Sequence, residues 1–559
     1  MAVAPNRLSR RMPLAYGAFA LVAAVALLPT ALRPPPDSAN SSNQFSPDAP
    51  PDKKADAIIR SVQLGSSSQT AGQPPPQTII IKPTALPSAS AAPTAPPRGS
   101  KAGCFPGKPP LQFESVYSVP CQPTFVGDNG GAGTRGVGKS DVRLLMAPCN
   151  RTYGNNQNTT HEITDAQKGD GTPDRTLNAL RKYFNKHAEM YGRQLRLFYA
   201  GCTDNNDVLT PIHTVDPLAA VVGQKVDVFA KEHVYGWDYG GNNFRFHKKL
   251  DPYTWAAVAS GDDTAGVAAE YACKSLKGHK PFPTGNSLAT VNFNGPRKFG
   301  SIQTNDPNAE SSAQLLNGLK TCGIVPTPNI STYFTSAGDV AGAMAKMISN
   351  NVTTIIWNND LFSLAYYMQY AESQGYRPEW FVTGWGGVDL AASIVRTYNV
   401  NQVKNMFGLT MNEIARDSRL NECYRAVLEV DPGFSADAQT CQIFWAPLAH
   451  MVDAIQLAGP HLNTKSFGEA ITRIPHLNPD PVNYWALSGG YRKDKWSYPD
   501  SAAVFWWNST AQGVDGQPGT YVYGECAKRY RYGTFPVRPS LAFATAHSAT
   551  GVTLGSCHL

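Results

Sequence analysis

Charge is scarce in this chain. Only 16% of its 559 residues are Asp, Glu, Lys or Arg against 42% hydrophobic ones, the balance of a globular body joined to uncharged spacers. The formal net charge of +7 is small for the length. Its lysines and arginines are scattered and form no stripe, so a nucleic-acid partner is not expected. Metal-type cysteine pairs are missing too: the ten cysteines include no CxxC. An even number of unclustered thiols points to disulfides and an oxidising compartment. The parts of a hydrolase are equally thin. Gly285-Asn286-Ser287-Leu288-Ala289 lacks the last glycine of a GxSxG elbow. His161-Glu162 lacks the second histidine of HExxH, and the eleven histidines form no cluster. Asp165, Asp170 and Asp174 are spaced too loosely for an EF-hand loop. Neither an enzyme nor a cofactor or metal is expected.

One motif is present but misplaced. Gly133–Ser140, GTRGVGKS, satisfies the P-loop pattern at every position. A P-loop needs a strand before it and a helix after it, so that helix N–H groups meet the phosphates. Here a Gly/Asp/Asn loop precedes and the strand-like Asp141–Met146 follows, so the octapeptide reads as a lead-in and not as a nucleotide site.

From Met12 to Leu32 no residue is charged, long enough to cross a bilayer as a helix. Arg7, Arg10 and Arg11 before it place the first eleven residues in the cytoplasm and export the rest. No clear A-x-A site follows, so the stretch reads as an uncleaved signal anchor, with a cleaved signal peptide as the alternative. Residues 33–100 hold fourteen of the 44 prolines amid Ser, Ala, Gln and Thr, the composition of an extended stalk with too little apolar surface to offset its ordering entropy.

Beyond the lead-in at 101–140 the chain alternates strand and helix. The clearest unit is Val352–Leu390. Thr353–Trp357 is a β-branched run, Asn358, Asn359 and Asp360 are helix-capping types, and Leu364, Tyr367, Met368 and Ala371 recur at helical spacing. Gly375 then closes the helix, and Trp380–Thr383 is a second strand opening into Gly384, Gly386 and Gly387. A βαβ unit implies a parallel sheet whose loops gather at its carboxyl edge. The same grammar predicts strands at Val142–Ala147, Leu195–Ala200, Val226–Ala230, Trp255–Ser260, Lys298–Gln303, Ser331–Thr335 and Met406–Thr410. It predicts helices at Pro217–Val222, Ala265–Leu276, Ser311–Cys322, Val340–Ser349 and Phe444–Leu457, with Ala502–Trp507 and Thr520–Tyr523 as an antiparallel finish. Cys149 and Cys202, ending neighbouring strands, are expected to pair. Cys104 with Cys121 would pin the lead-in, and Cys273 and Cys322 lie on helices that can meet. Cys423 and Cys441 flank a short loop, and Cys526 and Cys557 lie in the tail, pairings that rest on spacing alone.

Three sets of residues carry a resemblance. They are Cys121 with Gly127-Asp128-Asn129-Gly130-Gly131, then Gly375-Tyr376-Arg377-Pro378-Glu379-Trp380 running into Thr383-Gly384 and Asp389-Leu390, and Gln456-Leu457-Ala458-Gly459-Pro460. Over Phe113 to Ala511 the chain resembles the type I periplasmic solute-binding proteins, and more narrowly the branched-chain amino acid (leucine-binding-protein-like) substrate-binding proteins of ABC transporters in the actinobacterial style. The resemblance implies an α/β fold of two doubly wound parallel-sheet lobes with a hinge and an interlobe cleft that closes on a small solute. The expected organisation is 141–295 for the first part of lobe 1, 296–441 for lobe 2, 442–511 for the return to lobe 1 and the hinge, and 512–559 for terminal strands and tail.

By position, Ser260, Asp263 and Thr264 match the family's carboxylate-holding hydroxyls, although the same types in the same place also cap a helix. Trp385 would be an apolar wall of the cleft or a core residue. The chain departs from the family in two places. After the third strand it has Ala230-Lys231-Glu232 where leucine binders resemble Gly-x-Ser-Ser. Near Gly386 it has Trp385-Gly386-Gly387 where they place an acid against the ligand's ammonium. A buried ammonium without an anionic partner is costly, so Asp306 or Asp360 would have to replace it, or the solute is not a standard α-amino acid. Lys231 would favour an anionic solute, or is a surface lysine. The implied partners are a small solute, an ABC permease, and the membrane through the N-terminal helix, with the body on the extracytoplasmic face or secreted. The alternative is an anchored extracellular sensor or adaptor with the same fold and no transport role.

Overall fold

The computed structural model describes residues 111–148, 160–165, 172–201, 208–223, 225–239, 241–282, 285–332, 337–414, 416, 420–436, 438–479 and 485–537. The expected anchor at 12–32, the stalk at 33–100, and Cys104, Cys149, Cys202 and Cys557 lie outside the described residues, as does the side chain of Cys526. Among the described residues no helix is long and apolar enough to cross a membrane.

The first sheet is built from β1 (Asp141–Ala147), β2 (Thr160–Glu162), β3 (Gln194–Ala200), β4 (Ala219–Val222), β5 (Tyr235–Asp238) and β6 (Thr254–Ala256), in the order β2-β3-β1-β4-β5-β6. All pairings are parallel except that of the edge strand β2 with β3. Helices α1 (Thr172–His187), α2 (Leu209–Val215), α3 (Val226–Lys231) and α4 (Phe244–Leu250) run between the strands. Strand side chains alternate between faces, and β1 shows what that does. Val142, Leu144 and Met146 share a core with Leu177, Leu180 and Phe184 of α1. Leu145 and Ala147 share another with Ile212 and Val215 of α2 and Phe229 of α3. A sheet covered on both faces must read as a continuous apolar run.

That rule explains one correction. Pro217–Val222 was expected to be helical and Val226–Ala230 a strand, and the structure has them the other way round. Ala-Ala-Val-Val is too short and too uniformly apolar to show a period. Val226, Phe229 and Ala230 lie at i, i+3 and i+4 and form the buried face of a short helix.

The second sheet comprises β7 (Phe299–Thr304), β8 (Asn329–Thr332), β9 (Thr354–Asn358), β10 (Glu379–Val382), β11 (Met406–Thr410), β12 (Ser501–Gln512), β13 (Pro518–Tyr523) and β14 (Arg529–Arg531). Its order is β13-β12-β11-β10-β9-β7-β8, with β14 on β12. β7 to β11 pair in parallel, and the last three strands finish the sheet antiparallel. Helix α5 (Gly261–Tyr271) precedes these strands, and α6 (Ser312–Lys320), α7 (Ala337–Ser349) and α8 (Leu361–Ser373) connect them. The short α9 (Ala392–Val395) and α10 (Val400–Val403) lead into β11.

Helix α5 packs with Leu315, Leu319, Ile356, Phe381 and Phe407 of the second sheet and its helices. Cys273 just beyond it is bonded to Cys322 beyond α6. The chain therefore leaves the first lobe at 257–260 and not near residue 295. It returns after β11, earlier than the expected 442: α11 (Glu422–Val430) and α12 (Ala438–Ala458) pack on α1, and α13 (Thr464–Ile471) packs on α12. Cys423 and Cys441 are bonded, joining α11 to α12. Cys121 is also disulfide-bonded.

Three stretches thus cross between the sheets, at 257–260, between β11 and α11, and at 497–500. They are stitched by backbone. Ala256 donates to the Trp496 carbonyl at 2.9 Å, Tyr498 donates back to Ala256 at 2.8 Å, and Ile414 donates to Trp485 at 2.9 Å. The buried Lys495 ammonium fixes the third crossing by donating to Ser497 Oγ, Tyr498 O and Pro499 O.

Beneath the second sheet, Arg297 forks onto Glu379 at 2.7 and 2.9 Å, with both side chains at most 1% exposed. Glu379 also accepts from Phe282 N and Thr354 Oγ1 at 2.8 and 2.6 Å. Removing one partner of such a pair leaves a buried charge alone, so Arg297→Ala is expected to cost about 3–5 kcal/mol in urea unfolding. A cost within experimental error of zero would show that solvent reaches the site.

Candidate functional site

In parallel sheets, ligands meet the chain at the strands' carboxyl ends, where helix N-termini expose unpaired donors. The carboxyl ends of β5 and β6 meet those of β7 and β10 along a seam. Trp385 Nε1, after β10, donates to the Gly241 carbonyl, after β5, at 3.3 Å. Asn243 N donates to Asn308 O at 2.6 Å, and its side-chain amide reaches Pro307 O and Glu310 O at 3.2 and 3.1 Å. Asn243 is also the N-cap of α4, accepting from Phe246 N. Arg245 and Glu310 add an ion pair at 3.9 Å. Three glycines aim Trp385. Gly384 turns at φ +87°, and a Cβ there would lie 2.5 Å from Leu409 O. Gly386 turns at φ +76°, with a Cβ position 2.7 Å from Asn359 O, and Gly387 also has positive φ.

The structure places the expected residues as follows. Ser260 is the N-cap of α5 and forms a reciprocal capping box with Asp263: Ser260 Oγ accepts from Asp263 N at 3.0 Å and donates to Asp263 Oδ2 at 2.7 Å. Ser497 of the third crossing also donates to Asp263. Thr264 Oγ1 bonds back to Gly261 O at 3.0 Å. Asp306 receives Asn308 N and Ala309 N at 3.2 and 2.9 Å and shapes the turn into α6. Asp360 caps α8, accepting from Phe362 N and Ser363 N at 2.9 and 2.8 Å and from Ser363 Oγ at 2.6 Å. Burial raises its carboxyl above the usual range, and these bonds draw it partly back. Trp385 is 5% exposed at the seam. Lys231 is elsewhere. It lies in the last turn of α3, exposed and paired with Asp227 at 2.9 Å, because the segment expected to be a strand ending at the seam is a helix running away from it.

Sequence reasoning missed Gly241 and Asn243, although Asn-Asn before an apolar run is an N-cap signal. It also missed Asp389 as a titrating group. Asp389 is buried, accepts from Asn412 Nδ2 at 2.9 Å, and has its other oxygen without a hydrogen-bond partner among the described residues. Burial pushes it up to about 6, against the pull of bonds from Thr410 and Asn412. Away from the seam, a groove of about 520 Å³ lies at the opposite edge of the first sheet, lined in part by Tyr235, Tyr253, Trp496 and Lys465.

The chain path is similar to that of solved solute-binding proteins. One is the leucine-, isoleucine-, valine-, threonine- and alanine-binding protein from Brucella ovis in a closed conformation, at 12% identity and a TM-score of 0.47, covering 71% of this chain and 98% of that one. Another is a branched-chain amino acid ABC transporter protein from Thermus thermophilus with bound valine, at 10% identity and 0.47, covering 75% and 99%. A third is a fatty acid ABC transporter substrate-binding protein from Thermomonospora curvata, at 12% and 0.45, covering 73% and 99%. The architecture itself rests on the strand orders above. No family model matches the chain, and no curated protein matches it.

Two outcomes follow from this geometry. Ser260→Ala removes an N-cap and is expected to cost about 1 kcal/mol of stability, read by urea unfolding; no loss would show that the capping box is idle. Asp389 is protonated more readily folded than unfolded, so its contribution is fully present below pH 4 and is lost as pH rises through about 6. Two units correspond to about 3 kcal/mol. The stability of Asp389→Asn relative to the natural protein should therefore rise between pH 4 and 6, and parallel pH curves would contradict the assignment.

Proposed function

We propose that this chain binds a small solute in a cleft between its two lobes, as the substrate-binding component of an ABC-type uptake system on the extracytoplasmic side. The observation that carries the reading is the seam itself: the carboxyl edges of two parallel sheets converge there, and the sheets are joined by three crossings, the first and third bonded to each other. Such a joint lets two lobes close on a ligand by small torsional changes in a few residues. The seam's described carboxylates mostly hold their own loops, Asp263 and Asp360 as helix caps and Asp306 at a turn. The disulfides suit an oxidising compartment.

The solute would be neutral or only weakly charged. Ser260, Asp263, Thr264, Asp306 and Asp360 hold their own loops and would contribute to the cleft by positioning backbone donors, and Trp385 would be its apolar wall. An anchored sensor or adaptor remains the second reading, favoured by the long Pro-rich segment ahead of the body.

A thermal-shift screen of the oxidised full chain against amino acids, amides, small carboxylates, sugars and peptides tests the proposal. A ligand that binds only the folded state raises the melting temperature. At about a hundredfold its Kd it adds about 2.7 kcal/mol, a rise of several degrees. A folded protein that no compound shifts would favour the adaptor.

A further inference from the structure

Trp385 is buried where the two lobes meet. The chain has ten tryptophans, and the other nine all belong to the apolar clusters. Trp385 joins none of them, although it is only 5% exposed. It reaches the facing lobe at Gly241. Its Nε1–H donates to Gly241 O at 3.3 Å, and a Cβ on Gly241 would lie 3.0 Å from that nitrogen. The Gly241 carbonyl already accepts from Gly261 N at 3.0 Å, so the indole fills its second lone pair. The residue sits on a turn of three positive-φ glycines, two of them pressed against backbone carbonyls. Core tryptophans such as Trp357 also donate to a backbone carbonyl, but within their own lobe, whereas the acceptor of Trp385 lies in the other one.

We infer that Trp385 is a resident occupant of the interlobe cleft: its indole holds the ligand's place when no solute is bound, and a solute enters by displacing it. This inference rests on the solute-binding reading and narrows it. The space the ring occupies is complementary to a flat apolar body with one hydrogen-bond donor directed at Gly241 O. The nearby carboxylates hold backbone amides: Asp262 accepts from Phe244 N at 2.6 Å, and Asp263 and Asp360 are the caps described above. The solute class that fits is therefore a neutral ring compound or amide with an N–H or O–H donor, and not a zwitterionic amino acid.

The test compares the full chain with Trp385→Ala and Trp385→Phe, using indole as the probe. Emptying an apolar space of ring size makes a binding site for a molecule of that shape. Millimolar indole should raise the melting temperature of Trp385→Ala by about 2–4 °C and leave the natural protein unmoved, because its place is taken. Trp385→Phe keeps the ring's bulk, guards against a simple folding defect, and should respond to indole weakly or not at all. Neutral donor-bearing ring compounds from the solute screen should bind Trp385→Ala at least about tenfold more tightly than the natural protein, since a site freed of its occupant no longer discounts the apparent affinity. A folded Trp385→Ala that ignores indole while the natural protein binds a solute would overturn the occupant and leave solute binding standing. Indole binding by Trp385→Ala with no solute bound by either protein would support the occupant and remove the uptake role instead.

Discussion

Everything in this molecule depends on how three stretches of backbone pass between two sheets. A single crossing would be a linker and leave the lobes independent. Three, two of them held to each other by the bonds of Ala256 to Trp496 and Tyr498 and the third crossing fixed by the Lys495 ammonium, form a joint with few free torsions. Parallel sheets fix where strand ends and helix N-termini accumulate, and the joint fixes that those edges face each other. The seam is therefore a consequence of topology before any side chain is considered. An apolar cluster reaches from Leu144 in one sheet to Trp357 in the other.

The charged groups serve that frame. Arg297 and Glu379 lie under the second sheet, and Lys495 lies at the joint. Where burial outweighs both hydrogen bonds and a nearby cation, as at Asp389 beside Arg529, the carboxyl's pKa rises to about 6. The hydroxyls and carboxylates at the seam mostly hold their own turns, so a solute bound there, as proposed, would meet backbone groups and an aromatic ring more than free charge.

Much of this was legible in the residues. Met406–Thr410 is the strand that the βα alternation predicted there, and the unit from Val352 to Leu390 is βαβ as its capping residues and Gly375 implied. Cys273 and Cys322 meet because their helices meet. The misreadings share a cause. Ala219–Val222 and Val226–Lys231 are too short for a period to show, so propensity alone could not separate strand from helix there, and Lys231 moved with them. The crossing at 257–260 was hidden because α5 reads as amphipathic in either lobe, and only packing on Phe381 and Phe407 decides. The partner of Trp385 is Gly241, 144 residues away, a contact that no local pattern encodes.

The central claim is that two lobes joined at three crossings rest closed with Trp385 in the seam between them. Pulsed electron resonance between spin labels at Lys231 in one lobe and Val400 in the other, both exposed, measures this directly. The account predicts a single narrow distance distribution for the natural protein without solute, and a second, longer population in Trp385→Ala. Identical narrow distributions in both proteins would contradict it, showing one rigid body in which the tryptophan holds nothing shut.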